Sequence, residues 1–163
     1  MARVMLVTRV GGIACAFPIE QVIETMRPLT VEPIGRSASA ALAFVEGLAV
    51  IRGAPVPVVD ARQLLGTPRG SGARVVVVRA ADHRIAVVVD DVIGVRQIAR
   101  DTLSALPSLL RGANQDSVSA IGARDGGLLV VLDSARVLSE DNWRVIAQAD
   151  APGGDHGDPP SDP

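Results

Sequence analysis

Apolar residues fall along the chain in short runs separated by turn-forming residues, which is the pattern of strands rather than of long helices. The runs are rich in Val and Ile, whose branched side chains suit the surface of a pleated sheet. Strands do not alternate regularly with long helical segments, so antiparallel barrels or a sandwich are favoured over a parallel sheet. The predicted strands are Val4–Val10, Ile13–Phe17, Val22–Met26, Leu48–Ile51, Val56–Val59, Val75–Arg79, Ile85–Val89, Val92–Ile98, Ser119–Ala123 and Leu128–Leu132.

Two short helices are predicted where an Asp opens an amphipathic stretch. A carboxylate at this position accepts hydrogen bonds from the free N–H groups of the first helical turn. Asp60 is expected to cap a helix over Ala61–Leu65, and Asp133 is expected to cap a closing helix over Ser134–Ile146. Both carboxylates are therefore predicted to be structural caps.

Two other segments have helical patterns, and the end of the chain has none. Asp101–Leu110 is predicted to be helical with Asp101 as its cap, and the Ala-rich segment Ser39–Phe44 is predicted to form a helical turn. Residues 149–163 are mostly Pro, Gly and Asp, so they cannot offset the entropy of ordering and are predicted to be a disordered tail. The folded domain is therefore expected to span residues 1–148.

The chain contains an internal repeat. Residues 58–65 resemble residues 131–138, which places Asp60 and Asp133 at equivalent positions 73 residues apart. Ile13–Phe17 resembles Ile85–Val89 at an offset of 72 residues. Each half would run through a hairpin, a short strand, a second hairpin and a helix. The repeat predicts two similar small barrels that pack on each other, because neither half could bury its apolar face alone.

Composition and charge exclude several classes of function. All 16 basic residues are Arg and the formal net charge is −2, so strong binding to nucleic acid is not expected. Cys15 is the only cysteine, can form no internal disulfide and is expected to be buried and inert. The sequence has no apolar run of transmembrane length and no signal-peptide pattern, so a cytoplasmic protein without direct membrane insertion is predicted.

Candidates for catalysis are poor, and no catalytic residue, metal ligand or cofactor site is predicted. The motifs of serine hydrolases, zinc proteases and phosphate-binding loops are missing from the sequence. His83, beside Asp82, is expected in a solvent-exposed turn. Asp90 and Asp91 could bind a metal or act as an acid and a base, but no further ligand is near in sequence. A strand-ending turn is therefore the favoured interpretation of this pair.

Arg52 and Glu24 are charged residues beside apolar strands. Arg52 follows the predicted strand Leu48–Ile51, and a guanidinium at such a place usually has a fixed carboxylate or carbonyl partner. One interpretation is a local ion pair with Glu46, Asp60 or Glu24. The other is a charge displayed for a partner protein, and the sequence alone does not choose between them.

Residues 45–62, which read VEGLAVIRGAPVPVVDAR, resemble the signature of CheW-like domains. In that family an Arg-Gly pair precedes a Pro-Val-Val-Asp segment, as Arg52-Gly53 does here. Three further elements agree with the family in order, and the resemblance covers about residues 3–140. These elements are Phe17–Ile19 with Val22 and Glu24, then Ile85–Val92, and then Ala120–Gly122 followed by Leu129–Leu132.

The resemblance implies a mainly β fold of two interleaved, five-stranded, SH3-like barrel subdomains with a few short helices. It also implies a non-enzymatic adaptor without a cofactor. Proteins of this family couple transmembrane chemoreceptors to a chemotaxis histidine kinase. The implied partners are therefore the regulatory domain of the kinase and the cytoplasmic tip of the receptors, with recruitment to membrane-associated receptor arrays.

The resemblance also suggests which residues contact partners, namely Val22, Glu24, Arg52, Gly53 and Val95. Glu24 and Arg52 are expected to lie near each other. The chain departs from the family at Val50, where Asn is common, and at Ala61 and Ala86, where Leu and Gly are common. Such departures fit a divergent or accessory coupling protein, for example one of a pilus-type chemosensory system.

Two other classes of function stay open at this point. A β-barrel that binds or converts a small molecule would need a concave polar pocket that gathers Asp90, Asp91 and His83. An RNA-binding barrel would need a contiguous face of Arg side chains. An adaptor would instead leave an apolar patch or an exposed strand edge uncovered.

Overall fold

The computed structural model describes residues 1–34, 43–68, 72–105 and 117–149. These residues form eleven strands, two α-helices and three short 3-10 helices at Ile19–Gln21, Arg100–Thr102 and Ser134–Arg136. The strands and α-helices are β1 (Ala2–Val10), β2 (Ile13–Pro18), β3 (Val22–Met26), β4 (Val45–Ile51), β5 (Ala54–Asp60), α1 (Ala61–Leu64), β6 (Arg74–Ala80), β7 (His83–Val89), β8 (Asp91–Ala99), β9 (Leu103–Ser104), β10 (Val118–Arg124), β11 (Gly127–Leu132) and α2 (Glu140–Ala149).

The strands form two sheets, and the mainly β architecture predicted from the sequence is confirmed. One sheet has five strands in the order β3-β6-β7-β5-β4. The other has six strands, not the five that were predicted, in the order β8-β1-β2-β11-β10-β9. The additional strand is β9, whose two residues pair with Ile121 and Gly122 of β10.

The two halves of the sequence exchange their first hairpins. Hairpin β1–β2 belongs to the first half but pairs with β8 and, in parallel, with β11 of the second half. Hairpin β6–β7 belongs to the second half but pairs with β3 and, in parallel, with β5 of the first half. Each sheet therefore needs both halves of the chain, which explains why neither half is an independent unit.

The internal repeat is visible in the backbone hydrogen bonds. The N–H of Asp60 donates to the carbonyl of Phe44, and the N–H of Asp133 donates to the carbonyl of Ser117. Each Asp side chain then accepts from a backbone N–H two residues later, that of Arg62 or Ala135. The positions predicted as caps thus begin a helical turn in the same way in both halves.

Each sheet closes on itself, which makes it a barrel. After β3 the chain crosses to the free edge of β4, where Glu32 and Leu48 exchange backbone hydrogen bonds of 2.8 and 2.9 Å. In the six-stranded sheet, β9 follows β8 through the 3-10 helix and pairs with β10 at the opposite edge. We refer below to the five-stranded barrel and the six-stranded barrel.

Alternate residues of the strands face two different cores. Phe17, Val78 and Leu132 belong to a central core that is built from both barrels. Val77 and Ala86 belong to a smaller core inside the five-stranded barrel, and Met5 belongs to the matching core of the six-stranded barrel. Strands buried on both faces account for the long Val-rich runs of the sequence.

Two helix predictions were wrong. Arg100–Thr102 is a 3-10 helix without a side-chain cap, and the chain then enters β9 because Leu103 packs into the six-stranded barrel. The closing helix does not begin at Ser134, because the Ser139 hydroxyl accepts a hydrogen bond from the Asn142 N–H and starts α2 there.

Several predictions lie on residues that the structure does not describe. These are the remainder of the helix predicted over Asp101–Leu110, most of the turn predicted over Ser39–Phe44 and nearly all of the tail. Within the described ranges, no helix is both long and apolar enough to span a membrane.

Candidate functional site

The turn between β4 and β5 places a charged side chain at one end of the five-stranded barrel. Arg52 and Gly53 form a two-residue hairpin loop, and both have positive φ angles, 50° and 81°. Such left-handed conformations match the twist of a hairpin, and Gly adopts them without strain. The Arg52 side chain is 69% exposed.

Arg52 is bound to Glu24, as the resemblance predicted. The guanidinium donates from Nε at 2.9 Å and from Nη2 at 2.7 Å to the same carboxylate oxygen, Oε2 of Glu24. This hydrogen bond, together with the carboxylate charge, raises the pKa of Arg52. Glu24 lies on β3, one edge of the sheet, and Arg52 extends from the hairpin at the other edge. The pair therefore links the two edges of the five-stranded barrel.

An exposed apolar pair lies beside this ion pair. Val50 is 72% exposed, and Pro55, its cross-strand neighbour on β5, is also exposed. Side chains directly opposite each other on antiparallel strands are close enough to form one contact surface. Glu24, Val50, Arg52, Gly53 and Pro55 are called the barrel-end surface below.

The other residues suggested by the resemblance lie elsewhere or are covered. Val22 is half-buried and packs against the central core. Val95 is 52% exposed but lies on β8 of the six-stranded barrel. The structure thus brings Glu24, Arg52 and Gly53 together and leaves Val95 on the other barrel.

Asp90 forms a structural ion pair and does not share a site with its neighbour. Arg62 donates to Oδ1 of Asp90 from Nε at 2.7 Å and to Oδ2 from Nη2 at 2.5 Å. The Gly11 N–H donates to Oδ2 at 2.8 Å. The hydrogen bonds from Arg62, helped by that of Gly11, hold the pKa of Asp90 below its ordinary value despite partial burial. Asp91 accepts a hydrogen bond from the Val92 N–H instead.

His83 stacks on the only tryptophan of the chain. Its ring lies 4.0 Å from that of Trp143, centroid to centroid, with an angle of 19° between the planes. His83 is exposed, as predicted, but it begins β7 instead of lying in the turn, and its ring packs against Trp143 of α2. An open cleft of about 470 Å³ lies here, lined by both rings and by Asp82 and Glu140.

The small-molecule alternative is not supported by this cleft. Asp90 and Asp91 do not line it, so the three residues that would have formed a polar pocket are not gathered. Across the described ranges, no group of three or more His, Cys, Asp or Glu side chains could hold a metal ion. Cys15 is fully buried, and burial raises the pKa of its thiol to about 12, which is the opposite of nucleophile activation.

A comparison with protein families matches residues 4–142 to the CheW-like domain. The chain belongs to the CheW-like domain family. The family consists of non-enzymatic scaffold proteins of chemotaxis.

Two individual proteins illustrate the relationship. A chemotaxis protein CheW from Thermotoga maritima is 26% identical over 129 residues, which are 78% of this chain and 82% of the relative. The crystal structure of the scaffolding protein TtCheW from Thermoanaerobacter tengcongensis matches with a TM-score of 0.69 at 19% identity, over 82% of this chain and 90% of that one. This structural likeness supports the fold of two SH3-like subdomains.

Two features of the site were missed in the sequence. Val50 stands out as exposed only when the register shows that it faces away from both cores. The Arg62–Asp90 pair joins residues 28 positions apart, and the spacing gave no reason to choose Arg62. The alternation of buried and exposed residues along β4 was the signal that could have identified Val50.

Proposed function

We propose that this protein couples transmembrane chemoreceptors to a chemotaxis histidine kinase, and that the barrel-end surface contacts the regulatory domain of the kinase. The observation that carries the proposal is the fixed Glu24–Arg52 pair next to exposed Val50. Affinity would come from burial of the apolar side chains, and the charged pair would set specificity and the rate of association.

The geometry of the ion pair suggests that it presents the Arg52 guanidinium to a partner as well as stabilising the fold. Arg52 is largely exposed while Glu24 is mostly covered, so the carboxylate fixes the direction of a guanidinium that still faces solvent. Both Arg52 donors use the same Glu24 oxygen. The guanidinium can therefore offer its remaining N–H groups to a partner without leaving Glu24.

The Val side chain at position 50 suggests that this protein has a partner specific to it. The family commonly has Asn at this position, and a 72% exposed Val makes the barrel-end surface more apolar. An apolar side chain exposed beside a charged rim is typical of an interaction surface. We infer an accessory or divergent coupling protein with a cognate kinase of its own, located in the cytoplasm at receptor arrays. Residues 1–148 would be the folded domain that carries both contacts.

A reconstitution experiment tests the coupling role. A receptor-tip fragment on beads would be mixed with the kinase regulatory domain, with and without this protein, using every such receptor and kinase pair of the same genome. The kinase domain is expected on the beads only when the adaptor is present. Recruitment that does not depend on the adaptor, or none for any pair with the adaptor shown to be folded, would contradict the proposal.

A further inference from the structure

Arg79 and Arg84 lie directly opposite each other on β6 and β7. The register pairs their Cα atoms, and both residues are exposed. Like charges in directly opposed positions of an antiparallel pair destabilise a sheet. Such a pair is therefore expected to cost stability.

The same register places this pair next to the barrel-end surface. Glu24 pairs with Val77, and Arg79 lies two residues farther along β6 on the same face of the sheet. Diagonal neighbours of this kind are roughly 7–8 Å apart, within reach of long side chains. Val77 and Ala86 face the core of the five-stranded barrel, so Arg79 and Arg84 continue that face at the end of the barrel.

The same end of the five-stranded barrel thus carries Arg79 and Arg84 as well as the Glu24–Arg52 pair. Glu24 is already bound to Arg52. Among the residues that the structure describes, no carboxylate forms an ion pair with Arg79 or Arg84. Asp82, in the turn between their strands, forms no such pair either. Within the described residues, Arg79 and Arg84 are therefore two positive charges without an ion-pair partner at this end of the barrel.

We propose that Arg79 and Arg84 form an anion-binding extension of the barrel-end surface, and that its ligand is an acidic segment of the partner protein. The proposal rests on the proposed function and adds the chemistry of the surface that the kinase regulatory domain would present. Paired guanidinium groups suit carboxylates because their N–H groups form bidentate hydrogen bonds with both oxygens.

A protein carboxylate fits this surface better than a nucleic acid does. Single-stranded nucleic acids bind where exposed aromatic rings stack on bases. Phe17 and Phe44 are buried and Trp143 is stacked on His83, so the rings of this chain are not available. The net charge of −2 also disfavours strong non-specific binding to nucleic acid.

The experiment is a titration of the full chain with the kinase regulatory domain and, separately, with a poly-glutamate peptide, at low and high salt. The variants are Arg84→Glu and the double variant Arg79→Glu/Arg84→Glu. Arg100→Glu is the matched control, since Arg100 is exposed and forms no ion pair within the described residues. We expect Arg84→Glu to weaken both interactions about tenfold at low salt and much less at high salt, with the control within about twofold of the wild type.

Thermal unfolding separates lost binding from lost structure. Arg84→Glu places opposite charges across the β6–β7 pair, so its unfolding midpoint is expected to equal or exceed that of the wild type. Reduced affinity together with undiminished stability would show that the Arg pair serves binding and not folding. Reduced affinity with a lower midpoint would overturn that assignment.

The outcomes also distinguish this inference from the proposed function. If the wild type does not bind the kinase domain but binds poly-glutamate in a way that depends on Arg84, the kinase role is overturned and the acidic ligand is supported. Binding of both ligands unaffected by either variant would overturn the inference alone. The wild type could also bind single-stranded RNA or anionic phosphatidylglycerol vesicles more tightly than poly-glutamate, with this binding abolished in the double variant. That result would overturn the choice of a protein ligand.

Discussion

The Arg62 guanidinium contacts both oxygens of the Asp90 carboxylate, and this pair joins the two barrels. Arg62 lies in α1, which follows the last strand of the first half, and Asp90 lies between β7 and β8. The same carboxylate accepts the N–H of Gly11 in the β1–β2 turn of the six-stranded barrel. One carboxylate therefore connects three segments that are far apart in sequence.

The equivalent junction of the other half is bridged by a neutral side chain, that of Gln21. Gln21 lies between β2 and β3, as Asp90 lies between β7 and β8. Its carbonyl oxygen accepts from the N–H and hydroxyl of Ser134, and its amide donates to Asp133. The two junctions use the same kind of bridge, a polar side chain bound to the first residues after the last strand.

We predict that Asp90→Asn lowers the free energy of unfolding at neutral pH and removes part of its pH dependence. The folded-state pKa of Asp90 lies below the ordinary value of 3.8 because of the bond with Arg62. The stabilisation is therefore present above the pKa of the unfolded chain and is lost as the pH falls through the folded-state pKa. Urea unfolding of wild type and variant across this range should show their difference shrinking below about pH 4.

Asp91→Asn is the control for this prediction, because within the described residues its carboxylate accepts a hydrogen bond from the N–H of Val92 and forms no ion pair. Its stability at neutral pH should stay close to that of the wild type. A wild type and Asp90→Asn that differ by the same amount at all pH values would contradict the role given to the ion pair.

Gly47 is expected to tolerate no side chain. A Cβ at this position would lie 2.1 Å from the carbonyl oxygen of Glu32, the residue that closes the five-stranded barrel. Gly47→Ala should cost about 2–4 kcal/mol in chemical denaturation, since the backbone of Glu32 must move. Gly127→Ala is the control, because its nearest contact would be 3.6 Å away. Equal stability of the two variants would refute the close approach.

Cys15 is predicted to be unreactive in the folded protein. Burial raises the pKa of its thiol to about 12, so almost no thiolate exists at neutral pH. A thiol-reactive dye should label the chain only in denaturant or at the rate of global unfolding. Fast labelling under native conditions, with the far-ultraviolet circular dichroism unchanged, would show that the central core opens locally at β2.

The stacking of His83 on Trp143 is predicted to hold α2 against the β6–β7 hairpin. His83→Ala should cost about 1 kcal/mol and shift the emission of the only tryptophan to longer wavelength as its ring becomes more hydrated. Arg144→Ala, on the same helix and exposed, should leave the emission in place. Identical emission of wild type and His83→Ala would contradict the stack.

The secondary structure of this fold was largely predictable from the sequence. Val-rich runs identified nearly all strands, and β3 was predicted with its observed bounds, Val22–Met26. The repeat of Asp60 and Asp133 anticipated two similar halves. These features depend on residues that are close in sequence or on a pattern that occurs twice.

The parts that the local pattern left open or missed depend on contacts between distant residues. The pattern left Glu46, Asp60 and Glu24 open as partners of Arg52, and only the family resemblance indicated Glu24, because the contact depends on the meeting of β3 with the β4–β5 hairpin. The helix predicted from Ser134 was interrupted because Val137 and Leu138 are buried in the central core while Ser139 starts a new helix. The opposition of Arg79 and Arg84 likewise appears only once the register of β6 and β7 is known.

The central claim is that the barrel-end surface binds the regulatory domain of a histidine kinase. Calorimetric titration of the full chain with that domain from the same genome tests it most directly, with Arg52→Glu as the variant and Arg100→Glu as the control. The account predicts micromolar or tighter binding by the wild type and the control, in the range near −8 kcal/mol or stronger, and clear weakening by Arg52→Glu. Binding that Arg52→Glu leaves unchanged, or no heat with any such kinase domain while the protein is folded, would contradict it.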